Sequence, residues 1–260
     1  MKRQIKQFGW LKEHRDRRDL KFAKSEAFRG IIIKPRPFPL TVDLRSFMPP
    51  VYYQGHLGSC VGNAAAALFD VARFKQKLSF MSPSRLFIYY NARDVQGWAE
   101  WDTGCYIRDA IKSLNSLGVC PENEWAYDVS QFATKPPEKD YTDALASQTI
   151  VYRSLDNDLM QMKFCLASTY PFIFGFPVYK SFNFQSVWDT GIIPMPLPDD
   201  EIIGGHSMLT LGYDDHTQNF LVRNSWGDNW GMGGYGWMPF NFMLNYASDL
   251  WTISLVEKGI

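Results

Sequence analysis

Apolar residues recur at helical spacing through the first half of the chain, then alternate or run together as in strands through the second. From Cys60, the positions Ala64, Leu68, Val71 and Phe74 fall on one helical face, and Gln54 to Ser59 ahead of them form a glycine-containing loop. Ser82-Pro83-Ser84 reads as an N-cap with proline at the first helical position, opening a helix through Leu86, Phe87, Tyr89 and Tyr90. A third amphipathic segment, Ile107 to Leu117, is stopped by Gly118, and Leu155 to Ser168 reads as a further helix. Thr41 to Arg45 alternates like a strand, and from Pro171 strands dominate: Phe172 to Phe176, Met208 to Tyr213, Phe220 to Arg223 and Gly234 to Met238. A helical half followed by a β-rich half predicts an α+β protein of two lobes, with ligands favouring the groove between them.

The first stretch stands apart. Residues 1 to 24 carry nine Lys or Arg against three acidic residues, with Phe8, Gly9 and Trp10 embedded among the charges. Pro35, Pro37 and Pro39 then interrupt any helix and favour an extended connector. This divides the chain into an N-terminal arm, 1–36, and a main domain, 37–260, with a helical lobe over about 50–150 and a β-rich lobe over about 150–257. On its charge alone the arm is equally well a solvated basic tail.

Composition removes several classes of function. The 260 residues carry equal numbers of acidic and basic side chains, so no global field favours nucleic acid. No run reaches the roughly 18 apolar residues of a membrane span, and the N-terminus lacks the apolar core of a signal peptide. The expectation is a cytoplasmic protein, or one exported without a recognisable signal. Cys60, Cys105, Cys120 and Cys165 lie far apart with no C-x-x-C pair and only four histidines, so neither a metal site nor another cofactor is expected. If Cys60 is reactive, three thiols remain, and disulfides are not the main staple.

Candidate chemistry centres on Cys60. A thiol at a helix N-terminus is pushed toward thiolate by the unpaired N–H groups and the helix dipole. Gln54 and the Cys60 N–H could both donate to a developing oxyanion. Gly204-Gly205-His206-Ser207 sets a histidine at the mouth of a strand, and Arg223-Asn224-Ser225-Trp226-Gly227 ends the next one. An Asn carbonyl can fix an imidazole tautomer, and Trp226 can cover that bond against water. Each residue has a plainer reading, as a buried thiol, a core histidine or a turn asparagine. Their joint occurrence in the order Gln, Cys, His, Asn is what points to nucleophilic catalysis.

These segments, Gln54 to Cys60, Gly205-His206 and Asn224 to Gly227, resemble the three signatures of the papain-like, C1-type cysteine peptidases. Val42 to Arg45, Gly118 to Glu122 and Trp226 to Met238 resemble the bacterial and viral branch. The resemblance implies a helical N-terminal lobe, an antiparallel β-barrel-like C-terminal lobe, and an active-site cleft between them. It makes Cys60 the nucleophile, His206 the base and acid, Asn224 the orienting residue and Gln54 the oxyanion donor. Gly104, Cys105, Tyr106 and Ile107 then line the non-primed cleft, with Gly204, Ser207 and Trp226 on the opposite wall. Tyr106 and Ile107 imply an apolar or aromatic preference at the second non-primed position. Protein or peptide substrates are implied, cleaved through a thioester acyl-enzyme. Acyl transfer or deamidation on one protein target, or peptide binding with little turnover, are the alternatives. Leu57 stands where the family's usual disulfide cysteine would be, Val61 replaces an aromatic residue, Gly205 an aspartate and Cys105 a glycine. The arm is too short for the usual helical prodomain; Phe8 and Trp10 are its candidate anchors across or beside the cleft in cis.

Overall fold

The computed structural model describes residues 8–33 and 37–256. Pro35 and the arm's boundary at residue 36 lie outside the described residues, as does the C-terminal end of the domain from 257. The arm contributes α1 (Glu26–Ile33), and the domain opens on β1 (Thr41–Asp43). Three helices follow: α2 (Cys60–Lys75), α3 (Arg85–Asp94) and α4 (Ile107–Ser116). After α5 (Glu138–Ala144) come β2 (Thr149–Leu155), α6 (Leu159–Ala167), β3 (Phe172–Tyr179) and α7 (Gln185–Thr190). The chain ends with β4 (Ile202–Asp214), β5 (Asn219–Arg223), β6 (Tyr235–Pro239), α8 (Phe240–Tyr246) and β7 (Ser248–Val256).

The strands form one antiparallel sheet in the order β2-β7-β3-β4-β5-β6, with β1 pairing β4. β2 and β6 do not pair, so the lobe expected to be barrel-like is an open sheet. Two apolar clusters match the two lobes. One gathers α2, α3 and α4 with Trp251, Ile253 and Val256 from β7; the other lies among the sheet, α6 and α8. α2 is buried nearly all round, and its run Ala64 to Ala67 lets it lie close against the sheet between the lobes.

Three local expectations are corrected. Leu155 ends β2 instead of beginning a helix; α6 starts later because the Asp158 carboxylate caps it by accepting from the Gln161 N–H. The cap of α3 is Ser84, whose hydroxyl accepts from Phe87 N–H, so Pro83 precedes the cap and is not the first helical residue. β3 runs on through Pro177 to Tyr179, opposite the glycines of β4. Gly118, in the left-handed region at φ 75°, ends α4 as expected.

Candidate active site

Cys60 is the first residue of α2, where helix geometry leaves N–H groups unpaired. The Cys60 and Val61 N–H groups turn toward the sulfur, and Ser207 of β4 adds its N–H from the other lobe. A fourth N–H comes from Gly9 of the arm. These donors favour thiolate, but complete burial outweighs them and pushes the thiol up to about 11.

His206 reaches the same seam from β4. Its Nε2 lies 2.9 Å from the Asn224 Oδ1, which also accepts the Ser225 N–H at 2.8 Å. That contact leaves Nδ1 as the ring nitrogen open to a thiol. The Trp226 ring lies 4.9 Å from the imidazole, and Phe176 meets it edge-on at 5.8 Å, so the His–Asn bond is kept dry. Burial lowers His206 to about 4, more than Asn224 can offset. Thiol and imidazole are therefore both neutral in this arrangement.

Gln54 is locked by Ser225. Its backbone N–H donates to the Ser225 carbonyl at 2.8 Å, and its Oε1 accepts the Ser225 hydroxyl at 2.6 Å. Its Nε2 donates to the Leu57 carbonyl at 2.8 Å, and an amide NH₂ keeps a second donor after that bond. One residue thus ties the Gln54 amide to the Asn224 strand end. Sequence reasoning missed Ser225 in this role, although it lies inside the quoted motif.

The arm lies in the cleft. Cys105 N–H donates to the Gly9 carbonyl at 2.9 Å, Leu11 N–H to the Cys105 carbonyl at 3.2 Å, and Trp10 N–H to the Gly205 carbonyl at 2.9 Å. Backbone from both walls therefore holds Gly9 to Leu11, with Trp10 paired in parallel to Cys105. The approach is so close that a Cβ on Gly9 would stand 1.6 Å from the Gly58 carbonyl oxygen. Phe8 packs 6.2 Å from the His206 ring and 6.3 Å from Trp226, over Gly204. Of the sequence-predicted lining, Gly104, Cys105, Gly204 and Trp226 meet at the arm. Tyr106 sits beside Trp98 at 6.0 Å, and Ile107 is fully buried in the helical lobe's core. Ser207 lines a small pocket with Tyr52, Asn63 and Asn224, and meets the site through its backbone N–H.

Beyond Trp10 the arm is held by charge. The Arg108 guanidinium bonds Asp19 at 2.9 Å and Glu13 at 3.1 Å, and its backbone N–H donates to Glu13. The Asp249 carboxylate accepts the Trp10 indole N–H at 3.1 Å and the Glu13 N–H at 2.9 Å. On the helical wall, Asp102 accepts the Gly58 N–H and the Tyr89 hydroxyl, fixing the loop before Cys60. Arg108, Asp249 and Asp102 carried no recognisable sequence signal; ordinary surface positions look the same. The cysteines are all buried and unpaired.

A two-lobed α+β fold with a thiol at a helix N-terminus facing a His–Asn pair defines a thiol-hydrolase architecture. The family of papain family cysteine proteases matches residues 38–243, and the chain belongs to it. Xylellain, a cysteine protease from Xylella fastidiosa, is similar in structure: 37% identity, TM-score 0.84, covering 98% of this chain and 99% of that one. An uncharacterised peptidase C1-like protein of Acanthamoeba polyphaga mimivirus is 38% identical across 97% of this chain and 88% of its own length. Pro-cathepsin H of Bos taurus is 28% identical over 82% of this chain and 62% of its own. The protein is thus a papain-like cysteine peptidase of the bacterial and viral type.

Proposed function

We propose that this peptidase is an endopeptidase working through Cys60, His206 and Asn224, and that its N-terminal arm keeps it latent until displaced. The observation that supports this most directly is that a polypeptide segment, Phe8 to Leu11, lies in the cleft with Gly9 N–H against the Cys60 sulfur. A groove that takes an extended chain by backbone hydrogen bonds is suited to a peptide substrate.

With the cleft open to water, the burial that holds Cys60 and His206 neutral is relieved, and proton transfer gives a thiolate and an imidazolium. The thiolate attacks the scissile carbonyl. The developing oxyanion takes hydrogen bonds from the Cys60 N–H and the free Nε2–H of Gln54. His206 delivers its proton to the leaving amine while Asn224 Oδ1 holds the ring plane. A thioester results, and water deprotonated by His206 hydrolyses it, restoring the thiol pair.

On this scheme Cys60→Ala abolishes peptide hydrolysis, and Gln54→Ala lowers the turnover rate by roughly 10²–10³, the scale of losing one oxyanion donor. Peptide cleavage assays on the two variants, with intact mass measured after an epoxide-type inhibitor, report activity and the labelled residue together. A Cys60→Ala chain that still cleaves peptides removes the scheme.

A further inference from the structure

Both donors assigned to the oxyanion belong to the stretch from Gln54 to Cys60, and a single side chain from another segment spans that stretch. The Tyr127 hydroxyl donates to the Gln54 carbonyl at 3.0 Å and also hydrogen-bonds the Ser59 hydroxyl. A phenol has one proton and a carbonyl can only accept, so that proton goes to Gln54 and Ser59 donates to Tyr127. The Ser59 oxygen in turn accepts from the Asn63 Nδ2 at 3.1 Å, and the Asn63 Oδ1 accepts from the Arg85 guanidinium at 3.1 Å. Every bond therefore has a fixed direction, from a cation at one end to the Gln54 carbonyl at the other. Gln54, Ser59 and Asn63 are all buried, a setting in which linked hydrogen bonds polarise and strengthen one another.

The two ends of the stretch differ in stiffness. Ser59 leads directly into α2, and its carbonyl accepts both the Asn63 backbone N–H and the Asn63 Nδ2, each at 3.0 Å. That carbonyl shares a planar peptide unit with the Cys60 N–H, so anchoring it fixes where this donor points. Gln54 has no helix behind it, and Gly55 follows in the left-handed region at φ 64°. Ser225 ties the Gln54 amide and N–H to the other lobe; Tyr127 ties its carbonyl to the start of α2. Tyr127 is itself seated on Arg85, whose guanidinium lies 4.0 Å from the ring centroid and pairs with Glu122. The spacing between the two oxyanion donors thus passes through one phenol oxygen.

We propose that Tyr127 is a positioning residue for the oxyanion hole, its hydroxyl setting the Gln54 amide against the Cys60 N–H without itself touching substrate. This role rests on the peptidase reading above and adds a residue to it.

The test uses the full-length chain carrying Gly9→Ala, whose methyl meets the Gly58 backbone and drives the arm from the cleft. Tyr127→Phe keeps the ring on Arg85 and removes only the hydroxyl. It is expected to lower kcat about tenfold, the scale of one lost hydrogen bond, with KM changed by less than about twofold. A peptide aldehyde, whose carbonyl carbon takes up the Cys60 sulfur and sets its oxygen against the same donors, should lose affinity by a similar factor. Iodoacetamide, which loses iodide to that sulfur and forms no oxyanion, should label Cys60 at an unchanged rate. In Gln54→Ala the positioned amide is gone, so adding Tyr127→Phe should cost less than about threefold. Ser59→Ala leaves the bond from Tyr127 to Gln54 but cuts it off from Asn63 and Arg85, and its kcat should fall between those of the parent and Tyr127→Phe. Unchanged kcat and aldehyde affinity in Tyr127→Phe, a labelling rate that falls along with them, or the full loss persisting in Gln54→Ala overturns the proposal. Aldehyde affinity that depends on Tyr127 in a chain that cleaves no peptide sinks the peptidase scheme and leaves the positioning role standing.

Discussion

Phe8 to Leu11 and Glu13 to Asp19 are neighbours on one arm, held by different physics. The first stretch is fixed by backbone hydrogen bonds to Cys105 and Gly205 and by ring packing, at a separation that admits only glycine at position 9. The second is fixed by the Glu13 and Asp19 carboxyl groups on Arg108, both nearly buried. Steric fit is all or none and indifferent to pH. Ion pairs are graded, and they respond to protonation. The inner stretch therefore decides whether the thiol is covered, and the outer one how firmly.

The largest effect should come from breaking the fit. Gly9→Ala puts a methyl inside van der Waals contact with the Gly58 backbone, which cannot yield without moving the loop before Cys60. The arm is expected to leave the cleft. Alkylation of Cys60 by iodoacetamide at neutral pH should then rise by at least roughly 10²-fold, because a thiol returning from about 11 to its ordinary range alone gains that much thiolate, and pairing with the His206 imidazolium adds to it. Gly30→Ala is the matched control: nothing lies within 4 Å of its Cβ, and α1 should gain up to about 1 kcal/mol. Unchanged Cys60 reactivity in Gly9→Ala would mean that the arm does not shield the thiol.

The next effect tests the ionic stretch. Arg108→Ala leaves the buried Asp19 carboxylate and the buried Glu13 carboxyl without their partner, a loss on the scale of 3–5 kcal/mol for the Asp19 pair broken on one side. The cost falls on arm docking, since both groups belong to the arm. Hydrogen exchange of the Trp10 and Leu11 amides should accelerate strongly while the β3 and β4 amides stay protected. Equal protection of the arm in both chains would place the docking energy entirely in the inner stretch.

The same division decides what the sequence discloses. Cys60 and Asn224 were legible because each stands at a local junction, a loop into a helix or a strand end, where residue type and geometry are set by near neighbours; His206, expected at the mouth of a strand, lies inside β4 opposite Phe176, because β4 begins at Ile202 and pairs through both glycines. The start of α4, its stop by Gly118 and the short strand β1 were legible for the same reason as Cys60 and Asn224. The arm's basic residues dominate its composition, yet its few acidic ones do the anchoring, through contacts 95 and 89 residues away on Arg108. Asp249 meets Glu13 across 236 residues, and the bulge it occupies, where the register slips between Ile173 and Gly175, exists only in the pairing of β3 with β7. β2 and β7 also escaped the pattern, since each is defined by the other and by the Asp158 cap that displaces α6 from Leu155. Long-range pairing leaves no periodic trace in a single segment.

The finest test of the comparison is pH. Burial, helped by Asp249 and opposed by Arg108 and the Trp251 indole, pushes Glu13 up to about 8 from its ordinary 4.5; Asp19 and Lys112 complete the charged surroundings. A docked Glu13 therefore keeps a proton that a released one gives up between those values. Docking stability from this group is fully present below about 4.5 and is lost as pH climbs through about 8. Cys60 and His206 add no slope across this window: neutral thiol with imidazole carries as many protons as thiolate with imidazolium. Arm release, followed by cleavage with an added protease, should grow with pH by at most tenfold per unit between those limits. Glu13→Gln keeps the shape and removes the titration, so its release should be flat over the same range. A wild-type profile as flat as that of Glu13→Gln would show that Arg108 holds Glu13 charged throughout, and that both stretches of the arm ignore pH.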